Sequence, residues 1–120
     1  MMDVLFLIDD DQTYVKILTQ YLKDEFDVRV FHNAEDCLEA LTSEKPQWAI
    51  IDYQLPGMNG LELFKHLRSY VESDKLIVLS SNDDPKVILD MIRQGVQSYV
   101  VKDEQVIESL QAAIEGELEF

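Results

Sequence analysis

The sequence has few of the features that mark secreted or membrane-spanning proteins. Its 120 residues include one cysteine, Cys37, so no internal disulfide can form, and this is typical of the reducing cytosol. No apolar run reaches the roughly 18 residues needed to cross a bilayer, and the opening residues 1–3 lack the basic flank of a signal peptide. We therefore expect a cytoplasmic protein without a membrane partner, in which Cys37 contributes to helix packing.

Basic residues are also scarce. Ten lysines and arginines stand against 24 aspartates and glutamates, which gives a formal net charge of −14. A chain of this charge is unsuited to direct contact with nucleic acid or anionic lipid, and we expect neither as a partner. The apolar fraction of 47% is ordinary for a folded protein, and the length is sufficient to bury a core. Residues 1–120 are thus expected to form a single domain.

Glycine is too rare for a glycine-rich phosphate-binding loop, because only four are present and they form neither a G-x-G-x-x-G pattern nor a P-loop. The acidic run 9–11 does not begin an EF-hand, since Tyr14 occupies the position where that loop needs glycine. His32 and His66 stand apart from each other and from the acidic run. We interpret both histidines as ordinary surface or packing residues.

What the sequence does contain is a regular alternation of short apolar runs and longer amphipathic stretches. The apolar runs predict five strands, at 3–8, 28–31, 48–51, 76–79 and 98–101. The amphipathic stretches predict helices at 12–23, at 34–41, from residue 60, at 84–94 and at 104–118. Five such units with nearly continuous apolar strands predict an α/β fold with a parallel sheet covered on both faces.

Local signals define several helix ends. Asn33 with Asp36 three residues later is a helix-capping pattern, and Asp84 followed by Pro85 is another. Gly95 is expected to end the helix that Asp84 begins. The first helix is expected to place its apolar residues on one face, namely Tyr14, Ile17, Leu18, Tyr21 and Leu22.

Polar residues follow or end the apolar strands at corresponding positions. They are Asp9, Asp10, Asp52, Ser80 and Lys102. Each one taken alone is more often a cap, a turn residue or a surface residue. In parallel sheets, however, ligands bind beyond the carboxyl ends of the strands, and all five residues fall at that edge.

Three carboxylates brought together repel one another, and a hard divalent cation relieves this repulsion. Mg²⁺ suits a site of few carboxylates, a backbone carbonyl and retained water. Such a site beside a free carboxylate oxygen is suited to receiving a phosphoryl group, with Lys102 balancing charge and the Ser80 hydroxyl donating to the new oxygens. The sequence therefore predicts phosphoryl chemistry at this edge of the sheet.

The same residues resemble the receiver (response-regulator, CheY-like) domain of two-component signalling, over essentially the whole chain. The matching pieces are "DD" at 9–10, "DYQLPGMNG" from Asp52, "LSS" containing Ser80, and "SYVVK" from Ser98 to Lys102. The resemblance implies a flavodoxin-like (βα)5 fold, a doubly wound five-stranded parallel sheet with strand order 2-1-3-4-5. It also implies a signalling module that catalyses only its own phosphotransfer and dephosphorylation.

Carried over to this chain, the resemblance implies that Asp52 is the phosphoacceptor. Asp9 and Asp10 correspond to the acidic pair that holds Mg²⁺, together with Asp52 and the main-chain carbonyl of Gln54. Asp11 falls outside the matched pair and is not expected to be a direct ligand.

The remaining matched positions imply a switch. Ser80 corresponds to the hydroxyl that moves towards the phosphoryl group, Tyr99 to the aromatic residue that changes rotamer with it, and Lys102 to the lysine that pairs with the phosphoryl charge. The chain departs from the family pattern after Lys102, where Asp103 stands in place of a proline that follows a cis bond. Whether this bond is cis or trans stays open at this point.

The implied partners are a sensor histidine kinase or phosphotransfer protein, and an output domain or partner protein. The output domain or partner would be contacted through the surface formed by the fourth helix, the fifth strand and the last helix, residues 84–118. A homodimer through this surface is an alternative. Gln54 and Asn82 lie two residues beyond Asp52 and Ser80. We interpret them as residues that set the lifetime of the aspartyl phosphate.

Two other functions fit part of the sequence. The run from Asp9 to Thr13 also resembles the first motif of haloacid-dehalogenase-type phosphatases, in which Asp9 would be the nucleophile and Asp11 the acid/base. That alternative does not explain Asp52 or the loop behind it. The second is a pseudo-receiver that binds a partner without being phosphorylated.

Overall fold

The five apolar runs form one parallel sheet in a computed structural model that describes residues 1–116. Its strands are β1 (Asp3–Ile8), β2 (Phe26–Phe31), β3 (Trp48–Asp52), β4 (Leu76–Ser80) and β5 (Ser98–Val101). Their order is β2-β1-β3-β4-β5, and every neighbouring pair is parallel. This confirms the expected α/β class, the flavodoxin-like fold and the strand order 2-1-3-4-5. β2 begins two residues earlier than predicted.

In the described part of the chain, five α-helices connect and follow the strands. They are α1 (Gln12–Leu22), α2 (Ala34–Ala40), α3 (Gly60–Leu67), α4 (Pro85–Arg93) and α5 (Val106–Ile114). A short 3-10 helix at Ser73–Lys75 precedes β4 and was not indicated by the pattern. Within residues 1–116, no helix has the length and apolar character that a membrane span requires.

The last helix is shorter than the predicted range 104–118. It begins at Val106 because residues 103–105 form a turn, in which the Asp103 carboxylate accepts a hydrogen bond from Gln105 N at 2.9 Å and the Asp103 carbonyl accepts one from Val106 N at 3.1 Å. Positions 117 and 118 of the predicted helix lie outside the described residues.

The three predicted helix-end signals, at Asn33, Asp84 and Gly95, are confirmed. The Asn33 side chain accepts a hydrogen bond from Asp36 N at 2.7 Å, and the Asp84 side chain accepts one from Lys86 N at 2.9 Å. These bonds satisfy backbone donors that the first turn of a helix leaves unpaired. Gly95 follows α4 with a φ of 104°, a backbone conformation that glycine adopts without steric cost.

Successive strand residues alternate between two apolar cores, one on each face of the sheet. Leu5 and Leu7 of β1 face α1 and α5, whereas Phe6 and Ile8 face α2, α3 and α4. Cys37 of α2 is fully buried in the second of these cores, and burial raises the pKa of its thiol to about 12. The expected packing role of Cys37 is confirmed.

One prediction for α1 is wrong. Ile17 is 47% exposed, whereas Leu18 and Leu22 are buried. The buried stripe runs from Val15 through Leu18 to Leu22, at the spacings of three and four residues that share a helix face. Ile17 precedes Leu18 by one residue and therefore lies about 100° around the helix from the stripe.

Candidate functional site

Strand register places Asp9 and Asp52 side by side at the carboxyl edge of the sheet. Ile8 of β1 pairs with Ile51 of β3. Asp9, which follows Ile8, therefore lies beside Asp52, which follows Ile51. Lys102 follows β5 directly, and its N–H donates to the Ser80 carbonyl at 2.8 Å. The hydrogen bonding of the sheet thus fixes all of these backbone positions.

Alternation then selects the face on which the side chains lie. Ile8 and Ile51 belong to the core under α2, α3 and α4, so Asp9 and Asp52 point to the opposite face, that of α1 and α5. Lys102 joins them there, with its Nζ 2.9 Å from Asp9 Oδ2 and 3.4 Å from Asp52 Oδ2. Asp9 is fully buried and Asp52 is 4% exposed.

Asp9, Asp10 and Asp52 form an acidic cluster able to hold a metal ion. One carboxylate oxygen from each lies within 4.8 Å of the others. Asp9 Oδ2 is buried, and the ammonium of Lys102 lies 2.9 Å from it, while Asp10 is exposed and leaves the cluster open to solvent. Three carboxylates and one ammonium carry a formal charge of −2. The donor set therefore fits a hard divalent cation, which prefers oxygen ligands.

Asp11 has a different role. Its side chain accepts hydrogen bonds from Thr13 N at 3.0 Å and Tyr14 N at 3.3 Å, which caps α1. Its own N–H donates to Asp9 Oδ1 at 2.9 Å. Asp11 thereby holds the loop that presents Asp9 and is not a member of the acidic cluster.

The loop after β3 is tightly joined to the strand. Gln54 N donates to Asp52 Oδ1 at 3.2 Å, and Gly60 N donates to the Tyr53 carbonyl at 2.9 Å. A Cβ at Gly60 would lie 2.2 Å from the Asp52 carbonyl oxygen, so only glycine allows α3 to begin this close to the end of β3. The turn-rich sequence behind Asp52 thus fixes the orientation of its carboxylate.

Burial and neighbouring charge alter the protonation of the site. Burial, and next the charge of Asp9, raise the pKa of Asp52 to about 7, although Lys102 and the Gln54 N–H oppose the shift. Burial on its own would lower the pKa of Lys102, but hydrogen bonding to Asp9 and the charge of Asp52 raise it above its ordinary value. Lys102 is therefore charged at neutral pH, and Asp52 ionises against an unfavourable environment that a cation would relieve.

Ser80 and Tyr99 lie on the other face of the sheet from the acidic cluster. Ser80 is fully buried, and its hydroxyl accepts a hydrogen bond from Asn82 N at 3.0 Å. Tyr99 packs in the core beside α4, and its hydroxyl donates to the Asn82 carbonyl. Burial raises the pKa of Tyr99, which keeps this hydroxyl protonated. The two residues are joined through the loop that leads into α4.

A cleft of about 400 Å³ opens above the acidic cluster. Its lining consists of Asp10, Asp11, Tyr14, Asp52, Gln54, Ser81 and Lys102. Tyr14 and Ser81 are cleft residues that the sequence pattern did not reveal. The pattern predicts Tyr14 on the apolar face of α1, and its side chain packs against that core as well as lining the cleft. Its position four residues after Asp10, at the start of α1, is the signal that could indicate the cleft. Asn82 is not among the lining residues, and its side chain accepts a hydrogen bond from Asp84 N at 2.9 Å.

The bond between Lys102 and Asp103 is trans. Asp103 N donates to the Val101 carbonyl at 3.0 Å, and the Asp103 carboxylate accepts a hydrogen bond from Gln105 N in the turn that precedes α5. His32 is exposed, with Nδ1 3.4 Å from the Asp9 carbonyl, and His66 lies in the last turn of α3. Neither histidine lines the cleft.

Comparison with known proteins gives one consistent result. The family model of the response regulator receiver domain matches residues 5–115. The nitrate/nitrite response regulator protein NarL of Escherichia coli K12 is 31% identical over 120 residues, which cover 95% of this chain and 56% of NarL. The chain spans about half the length of the curated relatives it matches.

Solved structures share the fold. A CheY-like receiver domain protein from Methanospirillum hungatei JF-1 has a TM-score of 0.82 at 20% identity, over 97% of this chain and 94% of that one. A response regulator protein from Burkholderia pseudomallei, solved with a phosphorylated aspartic acid, a calcium ion and citrate, has a TM-score of 0.79 at 24% identity. That match covers 92% of this chain and 65% of the other.

Proposed function

The chain belongs to the response regulator receiver domain family of two-component signalling, and on that premise we propose that Asp52 is its phosphoacceptor. The observation that carries the proposal is the position of the Asp52 carboxylate, 3.4 Å from Lys102 Nζ and within the acidic cluster of Asp9 and Asp10. The family is a signalling module rather than a conventional enzyme. We propose one receiver domain over residues 1–120, located in the cytoplasm.

Mg²⁺ is the proposed cofactor. Asp9, Asp10 and Asp52 would hold it with the main-chain carbonyl of Gln54, and retained water would complete the coordination shell. When bound, Mg²⁺ would neutralise carboxylate charge and the charge on the oxygens of the incoming phosphoryl group. The calcium ion in the Burkholderia structure supports a cation in a receiver domain of this fold.

The proposed reaction is transfer from phosphohistidine, supplied by a sensor histidine kinase or a phosphotransfer protein. A carboxylate oxygen of Asp52 forms the new P–O bond as the P–N bond breaks, and the leaving imidazole nitrogen keeps the electron pair. Lys102 donates to the transferring oxygens. Water later attacks phosphorus, which returns the Asp52 carboxylate and releases inorganic phosphate.

Two polar residues are proposed to set how long the aspartyl phosphate lasts. Gln54 lines the cleft beside Asp52, and Asn82 follows Ser81, which also lines it. Both side chains would flank the approach of an attacking water molecule, and Asn82 would have to release its hydrogen bond from Asp84 N to do so. Their effect is on the second step, the loss of phosphate, and not on the choice of acceptor.

We propose that the signal leaves through the Ser80 and Tyr99 pair. A phosphoryl group adds about −1.5 to −2 charges and three strong acceptor oxygens, which would draw the Ser80 hydroxyl away from Asn82 N. Tyr99 then loses its fixed neighbour in the loop before α4. The α4-β5-α5 surface, residues 84–118, would change and regulate an output domain, a partner protein or a second copy of the chain.

Intact mass spectrometry tests the phosphoacceptor. After incubation with a small phosphodonor and Mg²⁺, we expect wild type to gain one phosphoryl group and Asp52→Asn to gain none, because the amide is not a nucleophile of this kind. Gln54→Ala and Asn82→Ala, loaded in the same way, are expected to lose phosphate at rates different from wild type once the donor is removed. Equal rates in all three proteins would refute the lifetime role.

Asp9→Asn is the control for the phosphatase alternative. A mass gain that survives Asp52→Asn and vanishes in Asp9→Asn would place the nucleophile at Asp9 and overturn the proposal. If wild type gains no mass from the small donor or from a phosphorylated histidine kinase, the chain is a pseudo-receiver.

A further inference from the structure

Tyr14 contacts the site lysine through its aromatic ring. Lys102 Nζ lies 4.6 Å from the centre of the Tyr14 ring, within the range of a cation–π interaction. The ring belongs to the first turn of α1, whereas Lys102 follows β5, so the contact joins two elements far apart in sequence. Tyr14 is half-buried and lines the cleft beside Asp52.

The neighbouring sequence holds the ring in this place. Tyr14 N donates to the Asp11 side chain, and Asp11 N donates to Asp9 Oδ1. The capping turn that presents Asp9 to the acidic cluster therefore also sets the position of the Tyr14 backbone. Tyr21, two turns further along α1, is similarly half-buried but is not a lining residue of the cleft.

Lys102 has three partners, and they differ in how they respond to a cation. Its ion pairs with Asp9 and Asp52 weaken when a divalent cation shares those carboxylates, because the cation takes up their negative charge. The Tyr14 ring carries no net charge and does not bind the cation. It therefore remains in contact with the Lys102 ammonium when Asp9 and Asp52 are engaged. A lysine loosened from both carboxylates would otherwise sample other rotamers in the open cleft.

We propose that Tyr14 is a positioning residue, whose ring keeps the Lys102 ammonium over the phosphoacceptor when the acidic cluster is engaged by Mg²⁺. This inference rests on the proposed function and adds a residue to its machinery. Tyr14 does not touch the reacting atoms, and it acts through Lys102. The aromatic face is required, and the hydroxyl is not.

The test compares three variants: Tyr14→Leu, which removes the aromatic face, Tyr14→Phe, which keeps it, and Tyr21→Leu, which makes the same change elsewhere on α1. In Tyr14→Leu we expect the rate of phosphorylation at saturating small phosphodonor and Mg²⁺ to fall roughly three- to tenfold, the size of a partly exposed cation–π contact. We expect the half-saturating Mg²⁺ concentration to stay within about twofold of wild type, because no metal ligand changes. Tyr14→Phe should restore the wild-type rate, and Tyr21→Leu should retain it.

Nuclear magnetic resonance of the Lys102 ε-methylene group gives a readout that does not depend on turnover. In Mg²⁺, the ring current of Tyr14 should shift this resonance upfield in wild type and in Tyr14→Phe, and the shift should vanish in Tyr14→Leu. The proposal is overturned if the resonance is the same in wild type and Tyr14→Leu, or if Tyr14→Phe is as slow as Tyr14→Leu. If wild type is not phosphorylated, the proposed function fails, and the resonance still decides whether the ring holds Lys102.

Discussion

At the scale of single residues, the main feature of the site is that the Asp52 carboxylate is buried beside a second carboxylate, which disfavours its ionised form. Asp52 ends a buried strand beside the fully buried Asp9, and Lys102 neutralises only part of their combined charge. Burying a carboxylate with incomplete charge compensation costs stability, and perturbed pKa values of this kind are typical of functional sites. The site therefore has an excess of negative charge, which a bound divalent cation would neutralise.

The raised pKa of Asp52 predicts a specific pH dependence of stability. Because the pKa is about 7 in the folded chain and 3.8 in the absence of structure, the folded chain retains a proton between these values that the unfolded chain has released. The contribution of Asp52 to the free energy of unfolding therefore decreases as pH rises through this window, by on the order of 2–4 kcal/mol. We expect Asp52→Asn to be more stable than wild type at pH 8 without metal, and to differ much less at pH 4.5.

Urea denaturation in a chelating buffer at both pH values measures this difference. Asp90→Asn is the matched control, since Asp90 is exposed on α4 and the same substitution there should change stability similarly at both pH values. An Asp52→Asn protein that gains no stability relative to wild type between pH 4.5 and pH 8 would show that Asp52 ionises normally.

At the scale of secondary-structure elements, the two-residue repeat of a strand places the proposed phosphorylation site and the proposed switch residues on opposite faces of the sheet. Asp52 and Lys102 face α1 and α5, whereas Ser80 and Tyr99 face the side covered by α4. Under the proposed function, an event at Asp52 would reach α4 through the carboxyl ends of β4 and β5, because Ser80 and Tyr99 connect there to the loop before α4. Asn82 connects Ser80 and Tyr99, because its N–H donates to the Ser80 hydroxyl and its carbonyl accepts from the Tyr99 hydroxyl.

This arrangement predicts that Ser80→Ala separates phosphorylation from the response of α4. Hydrogen exchange measured before and after loading should show a change in the amides of residues 84–94 in wild type, and little change in Ser80→Ala loaded to the same extent. The reason is that alanine has no hydroxyl to leave Asn82 N for the phosphoryl oxygens.

Ser98→Ala provides the comparison, since Ser98 is also fully buried, at the start of β5, but its hydroxyl has no hydrogen-bond partner among residues 1–116. We expect it to respond as wild type does. A full α4 response in Ser80→Ala would mean that the signal leaves by another route.

At the scale of the whole molecule, cations are expected to stabilise the fold in two ways, one general and one specific to the acidic cluster. Any salt screens the general repulsion among the acidic residues spread along the chain. A divalent cation at the acidic cluster would act in addition, by binding to the folded state alone. The two effects can be separated because only the second depends on three particular carboxylates.

We predict that Mg²⁺ raises the free energy of unfolding more than NaCl at equal ionic strength. At a Mg²⁺ concentration ten times the dissociation constant, the excess would be about 1.4 kcal/mol. Asp10→Asn should remove most of this excess, since Asp10 is an exposed member of the cluster whose replacement leaves the core unchanged.

Thermal unfolding of wild type, Asp10→Asn and Asp74→Asn in the two salts checks this. Asp74 is exposed in the 3-10 helix and lies outside the acidic cluster, so its replacement changes the net charge equally but should keep the Mg²⁺ excess. Equal effects of the two salts on wild type would rule out a specific cation site under those conditions.

Most of the fold and the identity of the acidic residues were predictable from the sequence. Periodicity indicated every strand and α-helix, because an apolar face must be buried and its spacing differs between strands and helices. Capping residues such as Asn33 and Asp84 indicated helix ends, because their side chains bond to backbone groups only two or three residues away. Asp9 and Asp52 were identifiable because each interrupts an apolar run at the edge where ligands bind in parallel sheets.

Only the tertiary structure decided what depends on contacts between distant residues. Ile17 could not be excluded from the core by pattern alone, since the stripe that α1 buries is fixed by the sheet beneath it. The contact of Tyr14 with Lys102, the complete burial of Ser80 and the trans bond before Asp103 are likewise products of assembly. Sequence periodicity specifies which face of an element is apolar, whereas packing and register determine which side chains meet across elements.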